Sequence, residues 1–256
     1  MLNVIRAMWF RNFLVTIRSF ADLFTIFFWP LMLPISMALF STFINSHEAF
    51  IILFIGSISW AYAYAAQQDA SYTFVKDIWY RSVKKLGLVP TSAFRLIVGN
   101  WTYGIVRSLI VFLLGSGISL FFGFNIFSIN LIHLAAILFG MNLFGLFLGV
   151  IVSAAIFRFG SSAEVLVWSL TDGLILISGI YYPITILPET IRWVALLSPL
   201  TYALENLRGI FLKGIFDYGL LFNMYALVIV YIFIAWLILR KAEKYAMRTG
   251  FFQRYD

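Results

Sequence analysis

Five runs in this chain are each long and apolar enough to cross a bilayer, at residues 23–44, 50–66, 105–124, 131–157 and 220–239. A helix needs about 20 predominantly apolar residues for that purpose. A sixth run, 165–182, is slightly short and carries Asp172 about half-way along. Once these are counted, the 256 residues leave no stretch for a soluble domain. Composition agrees: 62% of the residues are hydrophobic and 11% charged, where a soluble domain has about 25% charged. A soluble fold of this size would expose most of that apolar surface. The expectation is an all-α integral membrane protein, one domain over 1–256 with six transmembrane helices.

The basic residues give its orientation. With the N-terminus inside, every one of the 18 lysines and arginines falls on an inner flank except Arg192, Arg208 and Lys213. Excess positive charge marks cytoplasmic segments, so both termini, including a basic tail at 240–256, are expected in the cytoplasm of a cell whose inner (cytoplasmic) membrane holds the chain. The net charge of +7 then reports flanks facing anionic lipid rather than nucleic acid. In residues 1–20, Trp9, Phe13 and Phe20 share one helical face with Arg11 and Arg18 opposite, the pattern of an interfacial helix. No short apolar core followed by a small-residue cleavage site is visible, so no removable leader is expected. Pro30 and Pro34 inside the first span predict a bend. Gly145 and Gly149 form a small-xxx-small surface for close helix packing.

Between the fifth and sixth runs lies SGIYYPITILPETIRWVALLSPLTYALENLRG, with three of the six prolines. Proline removes an amide donor and disfavours helix at the residue before it. Pro188 is expected to open a short helix over 189–197. Ser198, Pro199 and Gly209 read as N-cap, first residue and stop of a second. The ordered set Gly179, Tyr181, Tyr182, Pro183, Leu187, Pro188, Pro199, Leu200, Thr201, Tyr202 and Arg208 resembles the external signature of ABC-2-type exporter permeases. Of these, Tyr181, Tyr182, Pro183, Pro188, Pro199, Tyr202 and Arg208 are the residues to which the resemblance assigns that role.

The resemblance extends to the largest inner connection, 67–99. Its segment KDIWYRSVKKL places Trp79, Val83 and Leu86 on one face and Asp77, Arg81 and Lys84 on the other, and Gly87 follows. This is similar to the cytoplasmic coupling helix of ABC-2 permeases, and those six residues are the candidate contacts with an ATPase. Where the family often has an acidic opening with glycine and threonine, this chain has Asp69-Ala70-Ser71-Tyr72-Thr73. The resemblance implies a permease docked on a separate cytoplasmic ABC ATPase and paired with a second permease copy, as a homodimer. The chain itself would hold no cofactor, ATP and magnesium residing on the partner. The substrate would be a lipid-linked, glycan or hydrophobic molecule.

Charges at membrane depth are costly and mark function by default. Arg107 lies a few residues into the third span and is expected to reach the inner headgroups. Glu164, near the inner end of the fifth, is expected to pair with Arg158 or another nearby base. Asp172 reaches neither surface, so it should face another helix or the conduit, hydrogen-bonded to a serine, threonine, asparagine or tyrosine. Trp60, Tyr62, Tyr64, Trp101, Tyr181, Tyr182 and Trp193 lie near expected interfaces and read as an aromatic belt. A conduit lining stays open for Tyr181 and Tyr182.

Neither a glycine-rich phosphate loop nor a nucleophile set is visible, and His47 and His133 lie too far apart to suggest a metal site. The chain has no cysteine, so the redox compartment cannot be read from it. An enzyme acting within the membrane therefore lacks a reactive centre. The competing reading is an ion-coupled secondary transporter using Asp172; against it, the runs show no matching pair of broken segments.

Overall fold

The computed structural model describes residues 1–79 and 91–250. Among them the helices are α1 (Leu2–Arg18), α2 (Phe20–Ile44), α3 (His47–Trp79), α4 (Ala93–Phe121), α5 (Leu131–Phe159), α6 (Leu166–Ile177), α7 (Glu189–Ala195), α8 (Pro199–Lys213) and α9 (Tyr218–Arg248). Four are long and apolar enough to cross a membrane: α3, α4, α5 with the turn that follows it, and α9. α2 has 25 residues and α6 has 12, both apolar. The six expected runs thus appear as the four helices that meet a crossing's length and apolarity among the described residues, together with α2 and α6. α2 is continuous past positions 30 and 34.

Caps set several boundaries. Ser19 Oγ accepts the Asp22 amide at the start of α2, and Asn130 Oδ1 accepts the Ile132 amide at the start of α5. Asp217 Oδ1 accepts the amides of Gly219 and Leu220 at the start of α9. Each oxygen satisfies donors that the first helical turn leaves without a partner.

Two helices extend beyond the expected apolar runs. α3 continues through the polar segment after position 66 as far as Trp79, and α4 starts at Ala93 rather than near 105. The reason is that Gln67, Gln68, Asp69, Ser71 and Asp77 are buried within the bundle and find partners there. Hydrogen-bonded or paired polar groups are tolerated where isolated ones are not. Similarly, α9 continues to Arg248, past the start of the expected tail.

α3 is the hub, in contact with α2, α4, α5, α6 and α8. Its membrane-length stretch is 78% buried, against 17% for α9, which lies outside α5 and α8. Small residues permit the closest contact. A Cβ at Gly145 would come within 2.7 Å of Ala66 Cβ, and one at Gly149 within 2.2 Å of Ala70 Cβ, so the small-xxx-small surface of α5 is where α3 packs. A buried polar knot lies beside it: Asn142 Nδ2 of α5 donates to Tyr62 OH at 2.7 Å and to Ser108 Oγ at 2.8 Å. Trp101 Nε1 of α4 donates to the Asn142 carbonyl. Tyr62, Trp101 and Trp60 are therefore interior residues, not members of an interfacial belt.

Candidate functional site

One face of α3 carries Trp60, Tyr64, Gln68, Tyr72 and Lys76 at four-residue spacing, so the side chains lie one above another along the helix. α6 is fastened alongside by three hydrogen bonds. Trp60 Nε1 donates to the Thr171 carbonyl at 3.3 Å, Gln68 Nε2 to the Val167 carbonyl at 2.8 Å, and Thr171 Oγ1 to Gln67 Oε1 at 3.1 Å. Val167 and Thr171 face α3 and are buried. Trp168 and Asp172, each one residue further on, are consequently turned towards the space beside the stripe. Asp22 of α2 and Arg107 of α4 close the remaining sides, leaving a groove of about 380 Å³.

Its walls are mainly rings. Trp60 and Tyr64 stack with centroids 5.1 Å apart and planes 21° apart, while Tyr72 meets Trp168 edge to face at 6.0 Å. The Lys76 ammonium sits 4.9 Å from the centre of the Tyr72 ring and pairs with Asp22 at 2.6 Å. Arg107 Nη1 pairs with Asp69 Oδ1 at 2.9 Å. Gly104 makes that approach possible, since a Cβ there would lie 2.8 Å from the Cβ of Asp69. Arg107 is thus held by an acid within the bundle. Asp172 is exposed on the groove wall and makes no hydrogen bond or ion pair among the described residues. The expected hydrogen bond to a neighbouring helix is absent there; the expected orientation towards an open space is present.

At its C-terminal end, α3 gathers further charges. Arg11 Nη2 of α1 pairs with Asp77 Oδ1 at 2.5 Å, and Asn12 Nδ2 donates to Asn100 Oδ1, so α1 is moored to both α3 and α4. Asp77 is only 2% exposed. Trp79 is 47% exposed, lies edge to face on Tyr72 and donates Nε1 to Glu164 Oε2 at 3.0 Å. Glu164 therefore takes an indole rather than the expected base, and Arg158 stacks over Tyr245 instead. Glu243 of α9 accepts the Ala93 amide at the N-terminus of α4 at 2.8 Å, where a negative charge is favoured. Arg81, Val83, Lys84 and Leu86 lie outside the described residues.

The opposite end is built by the proline-cut stretch. Pro188 precedes α7 and Pro199 opens α8, as expected, but α8 continues through Gly209 and ends at Gly214, whose φ of +70 suits glycine. Gly209 remains inside because nothing there demands a left-handed turn. The segment from Ser178 to Pro183 folds inward from α6. Gly179 adopts φ +68, and Ile180 is wholly buried. A Cβ at Gly56 of α3 would lie 1.7 Å from the Ile180 carbonyl oxygen, so glycine at this position admits the segment.

Arg208 holds the segment from the other side. Its Nη2 donates to the Ile180 carbonyl at 2.8 Å, and Nη1 to the Tyr182 carbonyl at 3.0 Å and Glu205 Oε1 at 3.1 Å. Glu205 also accepts the Ile184 amide. Burial pulls the Arg208 guanidinium below the ordinary arginine value, and the adjacent Glu205 carboxylate opposes that fall. Ser178 Oγ meets Ser198 Oγ at 2.9 Å, Thr201 Oγ1 donates to the Ala195 carbonyl at 2.7 Å, and the Tyr182 hydroxyl donates to the Leu176 carbonyl. Tyr182, Pro183 and Arg208 are therefore parts of one clasp.

The aromatic groove was missed by the sequence reading, although its signal, rings and amides at i, i+4, i+8 and i+12 of α3, is visible in the sequence. Assigning 67–99 to an inner connection outside the second span cut that stripe in two.

A helical bundle with four bilayer-length helices, an inward-folded clasp at one end and a charge-rich opposite end defines a multi-pass membrane protein. Residues 3–212 match the family model described as ABC-2 type transporter, and the chain belongs to that family. It is a transporter permease, of a family whose members typically pair with an ATPase subunit and are generally not catalytic themselves. No curated protein matches it.

Proposed function

We propose that this chain is the transmembrane subunit of an ATP-driven ABC exporter, acting as a homodimer on a separate cytoplasmic ATPase that carries ATP and magnesium. The observation that carries this reading is the aromatic groove along α3, on the helix that leads directly into the inner connection. α3 is one continuous helix from His47 to Trp79. A shift imposed at its inner end would move Trp60, Tyr64 and Tyr72 as a rigid body. The groove is then part of the translocation path, for a lipid-linked, glycan or hydrophobic substrate. Trp79 and the connection after it form the coupling surface, with Arg81, Val83, Lys84 and Leu86 as its remaining candidates. Asp77 positions α3 through Arg11.

The same reading has six crossings, with α2 and α6 counted, both termini in the cytoplasm and α1 in the membrane interface. The clasp around Arg208 is on the outer face of the cell membrane. Purification of the chain with its neighbours from the native membrane tests the proposal. The expected result is co-elution of an ABC ATPase and substrate-stimulated ATP hydrolysis once the complex is in liposomes. A permease that purifies without any ATPase and moves its substrate down an ion gradient alone would overturn it.

A further inference from the structure

We infer that the α3–α6 groove binds an amphiphilic organic cation, with Asp172 as its counter-ion; this rests on the groove being the substrate path of the permease. Among the described residues three charged side chains line the groove, Asp22, Arg107 and Asp172. Two have their charge met within the chain, Arg107 by Asp69 at 2.9 Å and Asp22 by Lys76 at 2.6 Å. Asp172 has no hydrogen bond or ion pair among the described residues. The groove therefore holds one uncompensated carboxylate, beside an apolar bundle where an ionised group is costly and generally faces a partner or a hydrated path.

The other walls specify what kind of positive group fits. Trp60, Tyr64, Tyr72 and Trp168 present four rings, whose electron-rich faces attract a cation with little hydration to lose. The Lys76 ammonium, 4.9 Å from the Tyr72 centroid, already uses one of them. A hard metal ion asks for about six or more oxygen ligands, and the described residues contain no cluster of three or more His, Cys, Asp or Glu to supply them. A delocalised cation on an apolar body asks for rings and a single carboxylate. At about 380 Å³ the space is of the size that takes a drug-sized ligand, roughly 300–1,000 Å³. An anionic amphiphile of the same shape would meet the same rings and be repelled by Asp172.

Two hydrophobic ions of nearly identical shape and opposite charge make the test. Tetraphenylphosphonium and tetraphenylborate are titrated against the purified full chain in lipid nanodiscs, without ATPase or nucleotide. Tryptophan quenching is followed, with empty nanodiscs subtracted. The expected result is saturable quenching by the phosphonium and none by the borate. Asp172→Asn should weaken phosphonium binding about tenfold or more, and Asp172→Glu should retain it. Equal behaviour of the two ions on the unaltered protein would overturn the inference, and that comparison needs no variant to fold. So would an Asn variant that binds like the parent. Because no ATPase is present, saturable phosphonium binding alongside a failure to recover an ATPase would strike the exporter reading alone. The reverse pair of results would strike only the cation site.

Discussion

Removing Arg107 would leave the Asp69 carboxylate buried without its opposite charge. Breaking a buried pair from one side costs about 3–5 kcal/mol, whereas replacing both partners by neutral groups costs far less. Arg107→Ala should therefore lower the unfolding free energy in detergent by about 3 kcal/mol, and the double variant Asp69→Asn/Arg107→Gln should recover most of the loss. A double-mutant cycle on unfolding free energies measures this; single effects that merely add would show that the pair is not coupled. Asp172 makes the opposite prediction. Its side chain is exposed in the groove with no hydrogen bond to lose, so Asp172→Leu should change stability by less than about 0.5 kcal/mol. Trp168 and Asp172 thus line a space, whereas Val167 and Thr171, their neighbours in sequence, hold the helices together.

At the level of elements, the fit of the Ser178–Pro183 segment against α3 depends on Gly56. An alanine there would drive its Cβ to 1.7 Å from the Ile180 carbonyl oxygen, and overpacking of this kind costs about 1–3 kcal/mol or more. Gly117 of α4 has nothing within 4 Å of such a Cβ, so Gly117→Ala should be neutral or stabilise by up to about 1 kcal/mol, since alanine is the better helix former. Melting temperatures of the two variants in one detergent decide it. Arg208→Ala frees the carbonyls of Ile180 and Tyr182, and hydrogen exchange should quicken at Ile184 and Ile186 while the amides of α5 keep their protection. The prolines made this region legible: Pro188 and Pro199 are where α7 and α8 begin. The inward fold was not legible, because it depends on Arg208 and Gly56 meeting one segment from two distant places in the chain. The apolar runs likewise fall within helices but do not mark where those helices end. Asp69 and Gln68 read as loop residues until Arg107 and the Val167 carbonyl are placed beside them.

For the whole molecule, the charge distribution predicts a definite sidedness, and the absence of cysteine makes single-cysteine probes clean. Trp193 is 67% exposed in α7 and Met247 60% exposed near the end of α9. A membrane-impermeant maleimide added to intact cells should label Trp193→Cys and leave Met247→Cys unlabelled until the membrane is opened; the reverse pattern would invert the topology. The central claim is that the α3 groove lies on a path whose opening is driven by an ATPase. It is tested most directly by the maleimide labelling rate of Tyr64→Cys in the reconstituted permease–ATPase complex, with and without ATP. Phe233→Cys, on the exposed outer surface of α9, serves as the reference. The account predicts that ATP changes the Tyr64→Cys rate several-fold and leaves the Phe233→Cys rate where it was. Identical rates with and without ATP at Tyr64→Cys, in a complex that hydrolyses ATP, would contradict it.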